Sequence, residues 1–175
     1  MTTRSILAAT TALAFSVLTL AGAQGERKAA TAQVKDAKDQ VVATAQFKQV
    51  KTGVQLSVKA TGLPPGIHAI HVHAVGKCEA PGFTTAGGHF NPAHKQHGMM
   101  NPAGHHAGDM PNLTINAKGK GTFKTVIEGV TLAGDGDTSL FHSGGTALVI
   151  HEKEDDMKSD PAGNAGARLA CGVVQ

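Results

Sequence analysis

Tryptophan and tyrosine are absent from the 175-residue chain, and phenylalanine occurs only six times. Without large rings the chain lacks the stacking platforms on which single-stranded nucleic acid is bound. Its lysines are spread along the sequence rather than gathered in one run, and the formal net charge is only +3, one unit of which is Arg4. Nucleic acid is therefore not an expected partner. Long hydrophobic runs are equally scarce. The single one, Ile6 to Leu20, follows Arg4 and precedes the small triplet Ala21-Gly22-Ala23, the pattern of a secretory signal peptide over residues 1–23. It is shorter than the roughly 20 residues a spanning helix needs, so stable membrane insertion is not expected, and no cysteine follows Leu20-Ala21-Gly22 to take a lipid. The expected destination is a periplasm or the extracellular space. Cysteine is limited to Cys78 and Cys171. In an exported chain these read as one disulfide, with two buried free thiols as the alternative.

What remains after residue 23 suffices for one domain with a proper core. Residues 24–32 are small and polar and read as a flexible lead-in to a domain spanning 33–175. No helical periodicity is visible. Instead Val41, Ala43, Ala45 and Phe47 alternate with polar neighbours, as do Val54, Leu56 and Val58, which is the period of strands with one buried face. Further short strands are predicted at 67–75, 112–117, 121–128, 146–152 and 169–174, and Gly119-Lys120-Gly121 reads as a tight hairpin. Seven or eight antiparallel strands in about 150 residues argue for an all-β sandwich or flattened barrel. Residues 76–111 and 153–167 do not fit strands, and a loop as long as the first is usually functional.

The chemistry is concentrated there. His71-Val72-His73 lies on a predicted strand, so both imidazoles project from one face while Ile70 and Val72 turn into the core. The long loop adds His89, His97 and His106, with Asp109 three residues later, and His151 falls on a later strand. Segments of this length wrap around an ion at modest entropic cost. Six histidines and a carboxylate exceed the needs of one four-coordinate ion, which implies two metals. Three histidines with an aspartate suit zinc, and an all-imidazole set with an open position suits copper. A metal-buffering segment or copper/zinc carrier is the alternative, favoured by Met99, Met100 and Met110 among the loop histidines, since thioether sulfur suits copper(I).

The motifs sharpen this reading. Gly66-Ile67-His68-Ala69-Ile70-His71-Val72-His73 resembles the GxHGFHVH signature of copper,zinc superoxide dismutases. Gly87-Gly88-His89-Phe90-Asn91-Pro92 resembles their G-x-HFNP, and His106-Ala107-Gly108-Asp109 their HxGD. His151-Glu152-Lys153 with Asp155-Asp156 is similar to HEK-x-DD, and Gly163 through Gly172 to GNAGSRLACG. These motifs occur in the family's order and cover most of residues 66–175. Ala69 and Ile70 depart from the common glycine and phenylalanine, and both concern strand packing rather than ligation.

The resemblance implies an eight-stranded Greek-key β-sandwich or flattened barrel with a long metal-binding loop and a short electrostatic loop. It implies that His71, His73 and His151 bind copper, that His89 bridges copper and zinc, and that His97, His106 and Asp109 complete the zinc site. Asp155 would join His71 to His97; a solvated acidic pair with Asp156 is the alternative. Arg168 would hold the substrate anion through charge-assisted hydrogen bonds. The implied reaction is disproportionation of superoxide to dioxygen and hydrogen peroxide, with copper alternately reduced and oxidised. His68 matches a structural position, whereas His94, His105 and His142 match no ligand. The segment 157–162 is short where many members carry more charges to guide the anion, leaving Lys158 as the candidate. A second copy of the chain and a copper donor are compatible partners beside superoxide.

Overall fold

The computed structural model describes residues 27–175; the expected signal peptide and the start of the lead-in lie outside the described residues. Strands β1 (Ala29–Asp36), β2 (Val41–Val50) and β3 (Gly53–Ala60) follow one another as antiparallel hairpins. Their alternation turns Ala43, Ala45 and Phe47, then Val54, Leu56 and Val58, inward, while Thr44, Gln46, Lys48 and Lys59 face solvent. β1 corrects the boundary of the lead-in, which overlaps its first four residues. Ala30, Ala32 and Val34 alternate inward there, but side chains this small give little hydropathy contrast with Ala29 and Thr31.

The remaining strands are β4 (Gly66–His68), β5 (Ile70–His73), β6 (Leu113–Ile115), β7 (Gly121–Glu128), β8 (Ala147–His151) and β9 (Arg168–Val173). Seven of them form one antiparallel sheet in the order β5-β8-β9-β1-β2-β3-β7, and β4 pairs with β6. The single strand predicted at 67–75 is thus split at Ala69. Its amide donates to Lys153 O and its carbonyl accepts from His151 N, so the chain changes partner from β6 to β8 at this residue. Counting β4 and β5 as one long strand leaves the expected eight. β5 and β7 are the two sheet edges. Because β4 continues β5 and β6 runs into β7 through a hairpin closed at Asn116 and Lys120, the β4–β6 pair links those edges and the sheet curls into a flattened half-barrel. Among the described residues the helical content is one 3-10 turn, Thr84–Ala86, and no helix is long and apolar enough to cross a membrane.

The main core fills the inside of the curl with Phe47, Leu56, Ile70, Leu113, Leu148 and Ile150 among others. Each buried side chain of this size contributes about 1.5–3 kcal/mol. β8 is buried on both faces: Leu148 and Ile150 join this core, while Ala147 and Val149 pack with Phe83, Ala86 and Cys171 in a second, smaller cluster. The chain between β5 and β6 lies over that outer face. Cys78 and Cys171, with Cα atoms 5.5 Å apart, form the disulfide that ties this chain to β9 across 93 positions.

Candidate metal centre

The two-residue period of β5 and β8 sets the first ligands. Ile70 and Val72 enter the main core, so His71 and His73 stand on the outer face, opposite Val149 and Ala147 of β8. His151 ends β8 at a register shift and lies opposite Arg168. The loop reaches this face by pairing with the free edge of β5: Ala74 N donates to Gly88 O, Phe90 N to Val72 O, and Val72 N to Gly108 O. His89 is thereby bridged to His73. Gly108 is required at this crossing, because a Cβ there would collide with the Val72 carbonyl.

Four imidazoles, His71, His73, His89 and His151, offer nitrogens that all lie within 4.8 Å of one another. Their other nitrogens are largely committed. His71 Nε2 is 2.8 Å from Asp155 Oδ2, His73 Nδ1 is 2.9 Å from Gly87 O, and His89 Nδ1 is 2.8 Å from Asp109 Oδ1. Those bonds select which nitrogen faces inward. Among the described residues His71 Nδ1 and His89 Nε2 are buried without any hydrogen-bond partner, and His73 Nε2 lies 3.4 Å from His151 Nε2. Burial is the main cause that pushes His73 down to about 2, His151 to about 3 and His89 to about 4, the last opposed by its bond to Asp109. These rings are neutral near pH 7, with lone pairs available. Orphaned buried nitrogens of this kind are costly unless a cation takes them up, and an all-nitrogen set fits copper.

Beside this set, Asp109 Oδ1 faces three nitrogens at once: His89 Nδ1 at 2.8 Å, His97 Nδ1 at 3.1 Å and His106 Nδ1 at 3.2 Å. His106 Nδ1 is also 3.4 Å from His89 Nδ1. Three nitrogens on one oxygen exceed its two lone pairs. A tetrahedral ion with bonds of about 2.0–2.1 Å places its ligands about 3.3–3.4 Å apart, which is close to this spacing. Asp109 Oδ2 is held aside by the amides of Gly98 and His106, so Oδ1 is the oxygen left for a cation. Burial raises the Asp109 carboxyl, but the bonds to His89, His97 and the Gly98 amide outweigh it and hold it far below the usual carboxylate range. His89 alone belongs to both sets, Nε2 in one and Nδ1 in the other.

Asp155 spans the two. It is buried, with Oδ2 on His71 Nε2 and Oδ1 3.0 Å from His97 Nε2, whereas Asp156 is exposed and accepts the amides of Lys158 and Ser159. Its carboxyl is raised by burial and lowered more strongly by His71 and His97, ending well below its ordinary range. His97 is lowered by burial, yet Asp109 and Asp155 together raise it to about 9. Arg168 opens β9, and its two terminal nitrogens each donate at 2.6 Å to a loop carbonyl, Phe83 O and Gly87 O. Gly87 O also accepts from His73 Nδ1, so one carbonyl couples the guanidinium to the all-histidine set.

Several supporting groups carry no motif of their own in the sequence. Asn112 clamps the Asp155 backbone in both directions, and Asp160 accepts the His97 amide at 2.7 Å. The carbonyls of Phe83 and Gly87 have no side-chain signal at all. His68 bonds the His151 carbonyl through Nδ1 and the Pro64 carbonyl through Nε2. His94 is exposed, His105 turns to the His106 carbonyl, and His142 stacks on Phe90. Met110 is buried in the main core, while Met99 and Met100 are exposed.

The family model described as copper/zinc superoxide dismutase (SODC) matches residues 41–174. Two copper-zinc superoxide dismutases of Aquifex aeolicus (strain VF5), numbered 1 and 2, are 48% and 44% identical to this chain. The first alignment covers 82% of this chain and 86% of the relative, the second 93% and 96%. The crystal structure of a SOD-like protein from Bacillus subtilis superposes with a TM-score of 0.79 at 35% identity, covering 83% of this chain and 97% of that one. Sequence, fold and the paired nitrogen-rich sites agree, and the chain belongs to the copper/zinc superoxide dismutase family.

Proposed function

We propose that the activity of this chain, disproportionation of two superoxide anions and two protons to dioxygen and hydrogen peroxide, is carried by copper on His71, His73, His89 and His151, with zinc on His89, His97, His106 and Asp109. The observation that supports this assignment is the convergence of two buried ligand sets on opposite nitrogens of His89. When bound, copper supplies the one-electron exchange that oxidises one superoxide and reduces the next, and zinc supplies fixed positive charge.

The chain's own groups do the rest. Arg168 uses two of its five N–H donors on Phe83 O and Gly87 O, which fixes the plane of the guanidinium and leaves three donors for an anion. Burial lowers its pKa from the ordinary value, and it remains a cation. His89 Nε2 has no hydrogen-bond partner among the described residues, so it can hold one of the two protons that the reaction consumes. Asp155 fixes the orientation of His71 and His97, and the Gly87 carbonyl fixes His73. A carrier reading loses part of its support with Met110, which is a core residue rather than a ligand.

The test is superoxide dismutation by protein loaded with both metals, beside an Arg168→Ala variant of equal metal content. Loss of hydrogen bonds to a charged group is worth about 1.5–3 kcal/mol, or roughly a 10–100-fold fall in rate. Activity no greater than that of free copper would overturn the catalytic reading. An unchanged rate in the variant would remove Arg168 from it.

A further inference from the structure

The lysines that look dispersed in the sequence are gathered by the fold. Residues 40–78 and 110–127 contain no aspartate or glutamate, and these stretches supply β2, β3, β6 and β7. Lys48 on β2, Lys59 on β3 and Lys124 on β7 are exposed on the outer face of the sheet, with Lys51 in the β2–β3 turn and Lys118 and Lys120 in the β6–β7 hairpin. Within β2, β3 and β7 the one carboxylate among the described residues is Glu128, at the far end of β7 opposite Gly53. The register pairs Lys59 with Thr122 and Ser57 with Lys124, so the two lysines are diagonal neighbours about 7–8 Å apart. Between them and β2 runs a shallow depression of about 660 Å³, lined by Thr44, Gln46, Ser57, Lys59, Thr122 and Lys124 along with Val58 and Phe123.

We infer that this face binds a polyanionic polysaccharide, a glycan chain bearing repeated sulfate, phosphate or carboxylate groups. Charge complementarity carries the proposal: a row of cations almost without a carboxylate, interleaved with hydroxyl and amide side chains that match sugar hydroxyls. Single-stranded nucleic acid fits less well, since the chain has no tryptophan or tyrosine and Phe123 is half-buried, leaving no platform for base stacking. A protein partner also fits less well, because interface centres are depleted in lysine and Val126 is the one large exposed apolar side chain along β7. The face is formed by different strands from those that carry the metal ligands, so binding there leaves the site open.

The experiment measures binding of metal-loaded protein to dextran sulfate, to neutral dextran and to a single-stranded DNA of matched charge. Dextran sulfate should bind, neutral dextran should not, and the affinity should fall as salt rises from about 0.05 M to about 0.3 M and screening tightens. Lys59→Glu with Lys124→Glu should weaken binding by more than about tenfold, with dismutation at the higher salt and thermal melting unchanged. Lys124→Gln is a milder form that should weaken it in the same direction. Lys38→Glu with Lys153→Glu makes the same change in net charge on other surfaces and should cost far less. Equal losses in the two double variants, equal binding of neutral dextran, or tighter binding of the DNA would each overturn the proposal.

Discussion

Gly163 offers a sharp test of how the two metal sets are joined. Its φ is +60°, and a Cβ placed on it would lie 2.6 Å from Asp155 Cγ and 2.7 Å from His97 Nε2, overlapping Asp155 Oδ1 as well. Alanine would therefore be strained twice. The left-handed conformation costs a residue with a Cβ about 1–2 kcal/mol. Displacing the carboxylate then sacrifices at least one of its bonds to His71 and His97, each worth about 1.5–3 kcal/mol as a charge-assisted contact. Together Gly163→Ala should destabilise the metal-free protein by about 2.5–5 kcal/mol, which for a domain of this size lowers the melting temperature by about 5–20 °C. Zinc affinity, measured by competition with a chelator, should fall by about 10–100-fold, as expected when a partner that orients a ligand is lost. The same substitution in an Asp155→Ala background should cost less, because the overlap with the carboxylate is gone and what remains is the backbone strain of about 1–2 kcal/mol and the close approach to His97 Nε2. An equal cost in both backgrounds, or wild-type zinc affinity in the single variant, would refute the claim that Gly163 is needed to make room for the Asp155 bridge.

Zinc binding should be linked to protons in a way that copper binding is not. In the metal-free protein His97 holds a proton up to about 9; zinc must expel it, so binding near pH 7.5 should release about one proton and tighten about tenfold per pH unit up to that value. His73, His89 and His151 are already neutral there, so copper should release almost none from these rings. Calorimetry in buffers of different ionisation enthalpy checks both, and zinc binding without proton release would contradict the geometry around His97. Because the folded pKa of His97 lies above its unfolded value of 6.5, its contribution to metal-free stability is full below 6.5 and is lost as pH rises through about 9. Replacing Cys78 and Cys171 with serine should cost about 4–5 kcal/mol in the chain-entropy account of a 93-position closure, seen as a lower melting temperature. It should also lower dismutation in protein that remains folded, because the loop carbonyls that hold Arg168 lose their tether.

Legibility in the sequence depended on whether a function resides in a side chain and whether its neighbours are close along the chain. His71 and His73 could be placed on one face from the strand period alone, since Ile70 and Val72 mark the opposite face. The placing of His89 between the two sets could not, because it depends on two nitrogens of one ring facing different sets, and spacing does not encode ring orientation; only the motif points to it. The orienting carbonyls of Phe83 and Gly87 have no side-chain trace, and β1 was masked by the small contrast among Ala29, Ala30, Thr31 and Ala32. Charge shows the effect most strongly. Lys59 and Lys124 are 65 positions apart in numbering and diagonal neighbours in register, so a distribution that reads as dispersed along the chain becomes a mainly cationic face once β3 and β7 pair. The same pairing buries Leu56 and Val58 on the inner side, so the apolar alternation that fixes the register also fixes where the lysines stand.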